Sequence, residues 1–300
     1  MTHAKTMESA NLSDKIIMVT GANSGIGKEA ALELAARGAR LVIVCRNRER
    51  GEPALAAIKA QSGNDTVELM TADFESQRQI RDLAAEYLRT HDRLDVLVNN
   101  AGLYLSTRHE TEDGIEATWA VNHLAPFLLT NLLLDAIKAA APARIVTVAS
   151  DAHRAGAIDF DDLEMKAKYR WLAAYAQSKL ANVVFTYELA RRLEGTGVTA
   201  TCMHPGTVAT GIWNRNKNVL NYLLRLFKPF YLSSKKSAEA VVRLAVSSDV
   251  EGVTGKYFDK MQQAKSAPVS YDEDLAARLW QVSEAMTGLD FSGSPEKSNG

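Results

Sequence analysis

Tyr175 and Lys179 stand four residues apart in Tyr175-Ala-Gln-Ser-Lys179, inside a pattern that reads as a helix over 171–193. Residues at i and i+4 share one helix face, so a phenol and an ammonium at this spacing can converge. A nearby ammonium favours the phenolate and lowers a tyrosine pKa that is otherwise about 10. Such a phenol exchanges a proton with an alcohol or carbonyl oxygen near neutral pH. Tyr-x-x-x-Lys also occurs in many helices by chance, so the pair gains meaning only from the stretches that must bring a reactant to it.

The first of these is Thr20-Gly-Ala-Asn-Ser-Gly-Ile-Gly27. It follows a short apolar strand at 15–20 and precedes a helical pattern at 28–37, with Ile26, Ala30 and Leu34 spaced by four. A glycine-rich turn between strand and helix is a phosphate site. The backbone can approach a pyrophosphate, and the helix N-terminus offers free N–H groups. Gly21, Asn23, Ser24, Gly25, Ile26 and Gly27 are therefore candidate nucleotide contacts. A second strand, 39–45, ends at Cys45 and is followed by Arg46, Asn47 and Arg48. A dinucleotide fold reads the adenosine ribose at this point, with an acid for a free 2′-hydroxyl and arginine for a 2′-phosphate. No acid stands there, so NADP(H) is expected over NAD(H), with Arg46 and Asn47 in contact.

Asp73, beside Phe74 at the end of a strand at 66–71, could accept from an adenine amino group or cap the next helix, 76–89. The apolar strand 94–98 runs into Asn99-Asn100-Ala101-Gly102, small residues where an open α/β sheet admits a ligand. A helical region at 111–140 carries Asn122 among apolar neighbours. A buried asparagine needs partners, so Asn122 belongs to a core network or to a site. Strand 143–149 ends at Ser150, a charged insertion spans 151–170, and strand 198–203 ends in His204-Pro205-Gly206-Thr-Val208.

Strands alternating with helices imply an α/β fold with a doubly wound parallel sheet and right-handed crossovers. One domain is expected over 15–291, with a flexible segment at 1–14 and a disordered tail at 292–300. A helix at 237–248, a final strand at 255–259 and a closing helix at 271–286 complete it. Residues 211–238 differ in character: Arg215, Lys217, Arg225, Lys228, Lys235 and Lys236 without an acid, and leucines and phenylalanines at amphipathic spacing. They fall where a helical substrate lid, about 207–236, would cover an apolar substrate. A basic amphipathic segment also suits peripheral contact with a membrane surface.

Composition narrows the field further. A chain of 300 residues with net charge -1 gives no sign of a nucleic-acid partner. Cys45 and Cys202 are its only cysteines, both in strand-like runs, and read as reduced core residues of a cytoplasmic protein. The six histidines are scattered, so no metal site is expected. Residues 1–15 are polar and lack the apolar core of a signal peptide. The longest apolar stretch, 119–141, is interrupted by Asn122, His123, Pro126, Asn131, Asp135 and Lys138, and reads as a buried helix rather than a membrane span.

Together these stretches resemble the short-chain dehydrogenase/reductase superfamily, with its Rossmann fold, over nearly the whole chain. The glycine turn, Asn99-Asn-Ala-Gly102, Ser150, Tyr175-x-x-x-Lys179 and Pro205-Gly206 occur in the family's order. Val44-Cys-Arg-Asn47, residues 121–130, Ser150-Asp-Ala-His153, Phe160-Asp-Asp-Leu163 and Tyr175 to Asn182 resemble the retinol dehydrogenase-like branch. The resemblance implies Tyr175 as general acid/base, Lys179 as the residue that lowers its pKa and holds the nicotinamide ribose, and Ser150 as hydrogen-bond partner of the reacting oxygen. It raises Asn122 to a site residue that would hold a water linking Lys179 to solvent. It also implies cofactor contacts from Pro205, Gly206, Val208 and Thr210, and a homo-oligomer built on the helices at 111–140 and 171–193. Ala149 departs from the branch, which usually has a second serine there. The activity so implied is interconversion of a hydroxyl and a carbonyl on a lipophilic substrate such as a retinoid, long-chain aldehyde or ketone. The competing expectation is a non-catalytic NADP(H)-binding scaffold or redox sensor, since fold does not fix function.

Overall fold

The structure is a computed structural model that describes residues 11–206 and 233–289. Most of the expected lid, with Val208 and Thr210, lies outside the described residues. Strands β1 (Ile16–Thr20), β2 (Arg40–Cys45), β3 (Val67–Thr71), β4 (Val96–Asn99), β5 (Ala143–Val148), β6 (Val198–His204), β7 (Lys256–Asp259) and β8 (Gln262–Ala264) form one sheet in the order β3-β2-β1-β4-β5-β6-β7-β8. All pairings are parallel except β7 with β8. β8, three residues long, was not expected. Its Gln262 and Gln263 carry no apolar alternation that would mark a strand.

Parallel strands covered on both faces read as continuous apolar runs, and β1 shows why. Ile16 and Met18 enter the core under α3 (Gln77–Thr90), while Ile17 and Val19 enter the core under α1 (Gly25–Ala36). α2 (Arg48–Ser62) and α8 (Ser234–Val246) lie beside α1 on that face. Expected helical residues 111–140 do not form one helix. Residues 111–116 are a loop, closed by a bridge between Glu110 and Glu116. The Glu116 carboxylate then accepts from Thr118 and Trp119 N–H and starts α4 (Ala117–Trp119). A π-helical turn, Ala120–Leu124, leads into α5 (Ala125–Leu132) and α6 (Leu134–Ala139). The insertion contains a single 3₁₀ turn, Asp151–Ala155, before α7 (Trp171–Arg192).

The chain ends, within the described residues, in α9 (Glu273–Thr287), which packs on α7. Trp280 meets Phe127 and Phe185 at centroid distances of 5.0 and 5.9 Å and is roofed by the Arg192 guanidinium. Almost every residue of α7 from Ala174 to Ala190 is buried within this one chain. α9 also touches the π-helical turn, while α3 packs on α5.

At the end of the sheet away from the glycine turn, Asp95 is buried and fixes the strand starts. It accepts from Ile16 N–H, Lys15 Nζ and Arg93.

Candidate active site

Between β1 and β4 the strand order reverses direction, and an open α/β sheet holds its ligand in the crevice beyond the strand ends there. Thr20 and Asn100 lock that crevice. Thr20 Oγ1 donates to Val98 O and accepts from the N–H groups of Asn100 and Ala101, and Asn100 Nδ2 donates to Thr20 O at 2.7 Å. Gly21 and Gly25 sit at φ 68° and 58°, where only glycine is unstrained. A Cβ on Gly27 would lie 2.3 Å from Asn100 Nδ2 and 2.5 Å from Gly21 O. Ser24 makes no side-chain cap on α1 and the first turn carries no acid, so the helix end presents free donors.

A cavity of about 660 Å³ opens on this turn. Of the candidate residues, Gly21, Asn23, Ser24, Gly25, Ile26, Gly27, Arg46, Asp73, Phe74, Asn100, Ala101, Gly102, Ser150, Tyr175, Lys179, Pro205 and Gly206 line it. Three expected residues are placed elsewhere. Asn99 points under α5, where its amide donates to Thr130 Oγ1. Asn47 is spent as the cap of α2, accepting from Arg50 N–H. Asn122 does not line the cavity. Its Oδ1 accepts from Leu103 N–H, and its Nδ2 donates to Leu103 O and Ser178 Oγ. It holds the Gly102–Leu103 backbone, and a Cβ on Gly102 would touch both Asn122 Oδ1 and, at 3.6 Å, Lys179 Nζ. Asp73 accepts from Glu75 N–H, while Ser76 caps α3, so the capping alternative for Asp73 falls away.

Other cavity residues had not been anticipated. Arg50, on the first turn of α2, joins Arg46 at the end of β2, and Glu75 comes within 3.9 Å of Arg46. Glu75, from beyond β3, thus stands beside an arginine whose sequence neighbours Cys45 and Asn47 are uncharged. Leu103, Tyr104, Trp171 and Leu172 line the end nearest Tyr175. The Tyr104 ring lies 5.4 Å from Trp171 and 6.3 Å, edge-on, from Tyr175. Trp171 precedes Tyr175 by four residues, so helical spacing could have identified it.

The electrostatics of Tyr175 and Lys179 differ from expectation. Burial pushes the Tyr175 phenol up, its hydrogen bond with Ser150 pulls it down in part, and nearby Tyr104 adds a smaller upward push. Burial lowers Lys179 to about 8. Its amine donates to Val148 O at 2.9 Å and lies 5.8 Å from the Tyr175 ring centre. The anticipated depression of the phenol by the ammonium is therefore not what this geometry produces. Tyr175 here is a buried phenol with its pKa raised, lining the cavity with Ser150 and with Tyr104 edge-on to its ring.

The short chain dehydrogenase pattern matches residues 15–220. The chain belongs to that family. It is 44% identical over 288 residues to Retinol dehydrogenase 13 of Homo sapiens, covering 94% of this chain and 87% of that protein. It is 43% identical over 277 residues to Retinol dehydrogenase 12 of Mus musculus, covering 92% and 87%. Among solved structures, an uncharacterised protein from Mycobacterium Paratuberculosis superposes with a TM-score of 0.76 at 31% identity, covering 94% of this chain and 96% of that one. A Pseudomonas aeruginosa RhlG/NADP active-site complex, at 24% identity and TM-score 0.69, shares the fold over 84% of this chain and 96% of that one. Membership makes this short-chain dehydrogenase an oxidoreductase that works with a nicotinamide dinucleotide. The residues present fit such a group: the glycine cradle admits no added Cβ, and the uncapped end of α1 faces the cavity. No helix among the described residues is long and apolar enough to cross a membrane.

Proposed function

We propose that the chain is an NADP(H)-dependent oxidoreductase that interconverts a hydroxyl and a carbonyl on a lipophilic, retinoid-like substrate, with Tyr175 as general acid/base. The observation that carries this reading is that Ser150, Tyr175 and Lys179 line the same cavity as the glycine turn, against a wall of Leu103, Tyr104, Trp171 and Leu172. The retinol dehydrogenase relatives support the substrate class.

The bound dinucleotide would supply or accept the hydride. The glycine turn and the end of α1 would hold its phosphates, and Asp73 and Phe74 would border the adenine. Arg46 and Arg50 supply guanidinium groups for a 2′-phosphate, which supports NADP(H), with Glu75 as the local counter-charge. At the reacting end Ser150 positions the substrate oxygen, and Tyr175 gives it a proton during reduction or removes one during oxidation. Lys179 sits behind the pair with its amine fixed on Val148. The apolar wall excludes water and seats the chain of the substrate. Segment 211–238, by its charge and apolar spacing, is assigned to the lid and to contact with an anionic membrane surface, which liposome flotation tests. The two buried free thiols fit a cytoplasmic setting.

The test follows NADPH consumption with all-trans-retinal and decanal, with NADH in parallel. Turnover that favours NADPH and falls about a thousandfold in Tyr175→Phe, while NADPH affinity is kept, is the expected result. Tight NADPH binding with no turnover of either aldehyde would instead support a non-catalytic scaffold.

A further inference from the structure

His153 is fully buried, yet both its ring nitrogens are engaged. Nδ1 lies 2.7 Å from Ser150 O, and Nε2 accepts from Ala267 N–H at 3.0 Å. A carbonyl can only accept and a backbone N–H can only donate, so the partners fix the tautomer: the proton is on Nδ1, and Nε2 is bare. Burial favours this neutral ring. The Ser150 carbonyl receives a second bond from His153 N–H, so the ring and the turn together occupy both of its lone pairs. The ring also packs 4.8 Å from that of Tyr257 on β7. Next along, Arg154 Nη2 donates to Lys265 O at 2.8 Å. The 3₁₀ turn that begins after Ser150 is thus latched twice to the loop following β8, at the far edge of the sheet. Its other end is closed by Gly156, where a Cβ would lie 2.5 Å from Ala176 O of α7.

We propose that His153 is a positioning residue for the reaction: by holding the Ser150 carbonyl against Ala267, it sets the direction in which Ser150 Oγ meets Tyr175 and the substrate oxygen. This rests on the reading that Ser150 serves the reacting oxygen. The ring touches neither substrate nor cofactor, and its effect runs through one peptide group. A misplacement of about 1 Å in such a group costs on the order of a hundredfold in rate. The edge hairpin β7–β8, which has no part of its own in the cavity, becomes the anchor of a reacting side chain at the sheet centre.

The experiment measures kcat, KM and NADPH affinity with NADPH and all-trans-retinal for the full chain and four variants: His153→Phe, His153→Gln, Ser150→Ala and the Ser150→Ala/His153→Phe double. Phenylalanine keeps the ring without either bond, whereas glutamine restores a donor and an acceptor. The expected result is a kcat about thirtyfold lower in His153→Phe, with KM and NADPH affinity within about threefold of the parent. His153→Gln should recover to within about fivefold. In the Ser150→Ala background His153→Phe should cost no more than about twofold, because the residue it acts through is gone. A kcat for His153→Phe near the parent value overturns the proposal. So do losses that multiply in the double variant, or a Gln variant no better than Phe. If Ser150→Ala turns over like the parent, the role given to Ser150 fails and takes this inference with it. A slow Ser150→Ala beside a fast His153→Phe sinks the inference alone. If His153→Phe does not melt cooperatively, His153→Asn, too short to span both partners, replaces it and should be about tenfold slower than His153→Gln.

Discussion

At the β1–β2 end the cavity is walled by backbone. Gly21 and Gly25 are in the left-handed region, Gly27 has no room for a Cβ, and the donors of α1 are unspent. At the β5–α7 end it is walled by side chains, with Leu103, Tyr104, Trp171 and Leu172 gathered around Tyr175 from elements far apart in the chain. A backbone wall has few chemical solutions, because close approach and positive φ demand glycine. A side-chain wall has many, and it can be refitted to another substrate while the cradle stays unchanged.

The contrast is broken most directly at Gly27. Gly27→Ala should weaken NADPH binding by about a hundredfold and lower stability by roughly 1–3 kcal/mol, since the new methyl must displace Asn100 or the Gly21 carbonyl. NADPH fluorescence titration and a thermal melt measure the two losses. Unchanged affinity would mean that the turn is not the cradle. At the other wall, Trp171→Ala should raise KM for all-trans-retinal about thirtyfold, the scale expected for removing a large aromatic contact, while NADPH affinity stays within about twofold. A loss of NADPH affinity of the same size would show that the two walls are not separable.

The same contrast explains what could be read from the sequence. The sheet, the glycine turn and the shared helix face of Tyr175 and Lys179 were legible because each is fixed by local spacing: apolar runs, glycines between strand and helix, a four-residue step on one helix face; a role for Ser150 came only from the family resemblance. Asn47 and Asn99 were placed in the site by proximity in sequence, but side-chain direction took them elsewhere, one to a helix cap and one beneath α5. The π-helical turn that carries Asn122 sets its amide onto Leu103 and Ser178, a direction that helical spacing did not announce. Glu75 meets Arg46 only because β3 lies next to β2 in the sheet. The packing of α9 on α7 was not anticipated either, since Trp280 finds Phe127 and Phe185 through tertiary contacts that no local pattern announces.

In the proposed reading cofactor choice rests on side chains carried by the backbone half, so it should be the more mutable property of that half. Arg50→Ala should narrow the NADPH-over-NADH preference in kcat/KM by about tenfold, the scale of one charge-assisted bond. Glu75→Gln should widen it by a smaller factor, since Arg46 would then lose its counter-charge. Equal effects of Arg50→Ala on both cofactors would remove this arginine from 2′-phosphate recognition.

Lys179 stands where the two walls meet, and its titration gives the smallest but most diagnostic effect. Burial lowers it from 10.5 to about 8, whereas burial raises the neighbouring phenol. If reduction needs the ammonium behind Tyr175, kcat/KM should be level below pH 8 and fall as pH rises through it, about fivefold between pH 7 and pH 8.6. The stability effect has the opposite sign. Between pH 8 and 10.5 the unfolded chain binds the lysine proton and the folded chain does not, so the folded state gains stability as pH rises across that window, and the burial penalty is fully present below it. Lys179→Met removes the penalty, so its melting advantage over the parent should be greatest near pH 7.5 and shrink towards pH 10. An activity limb at pH 8 with a shrinking melting advantage assigns both to this one amine. A limb that survives in Lys179→Met would belong to another group.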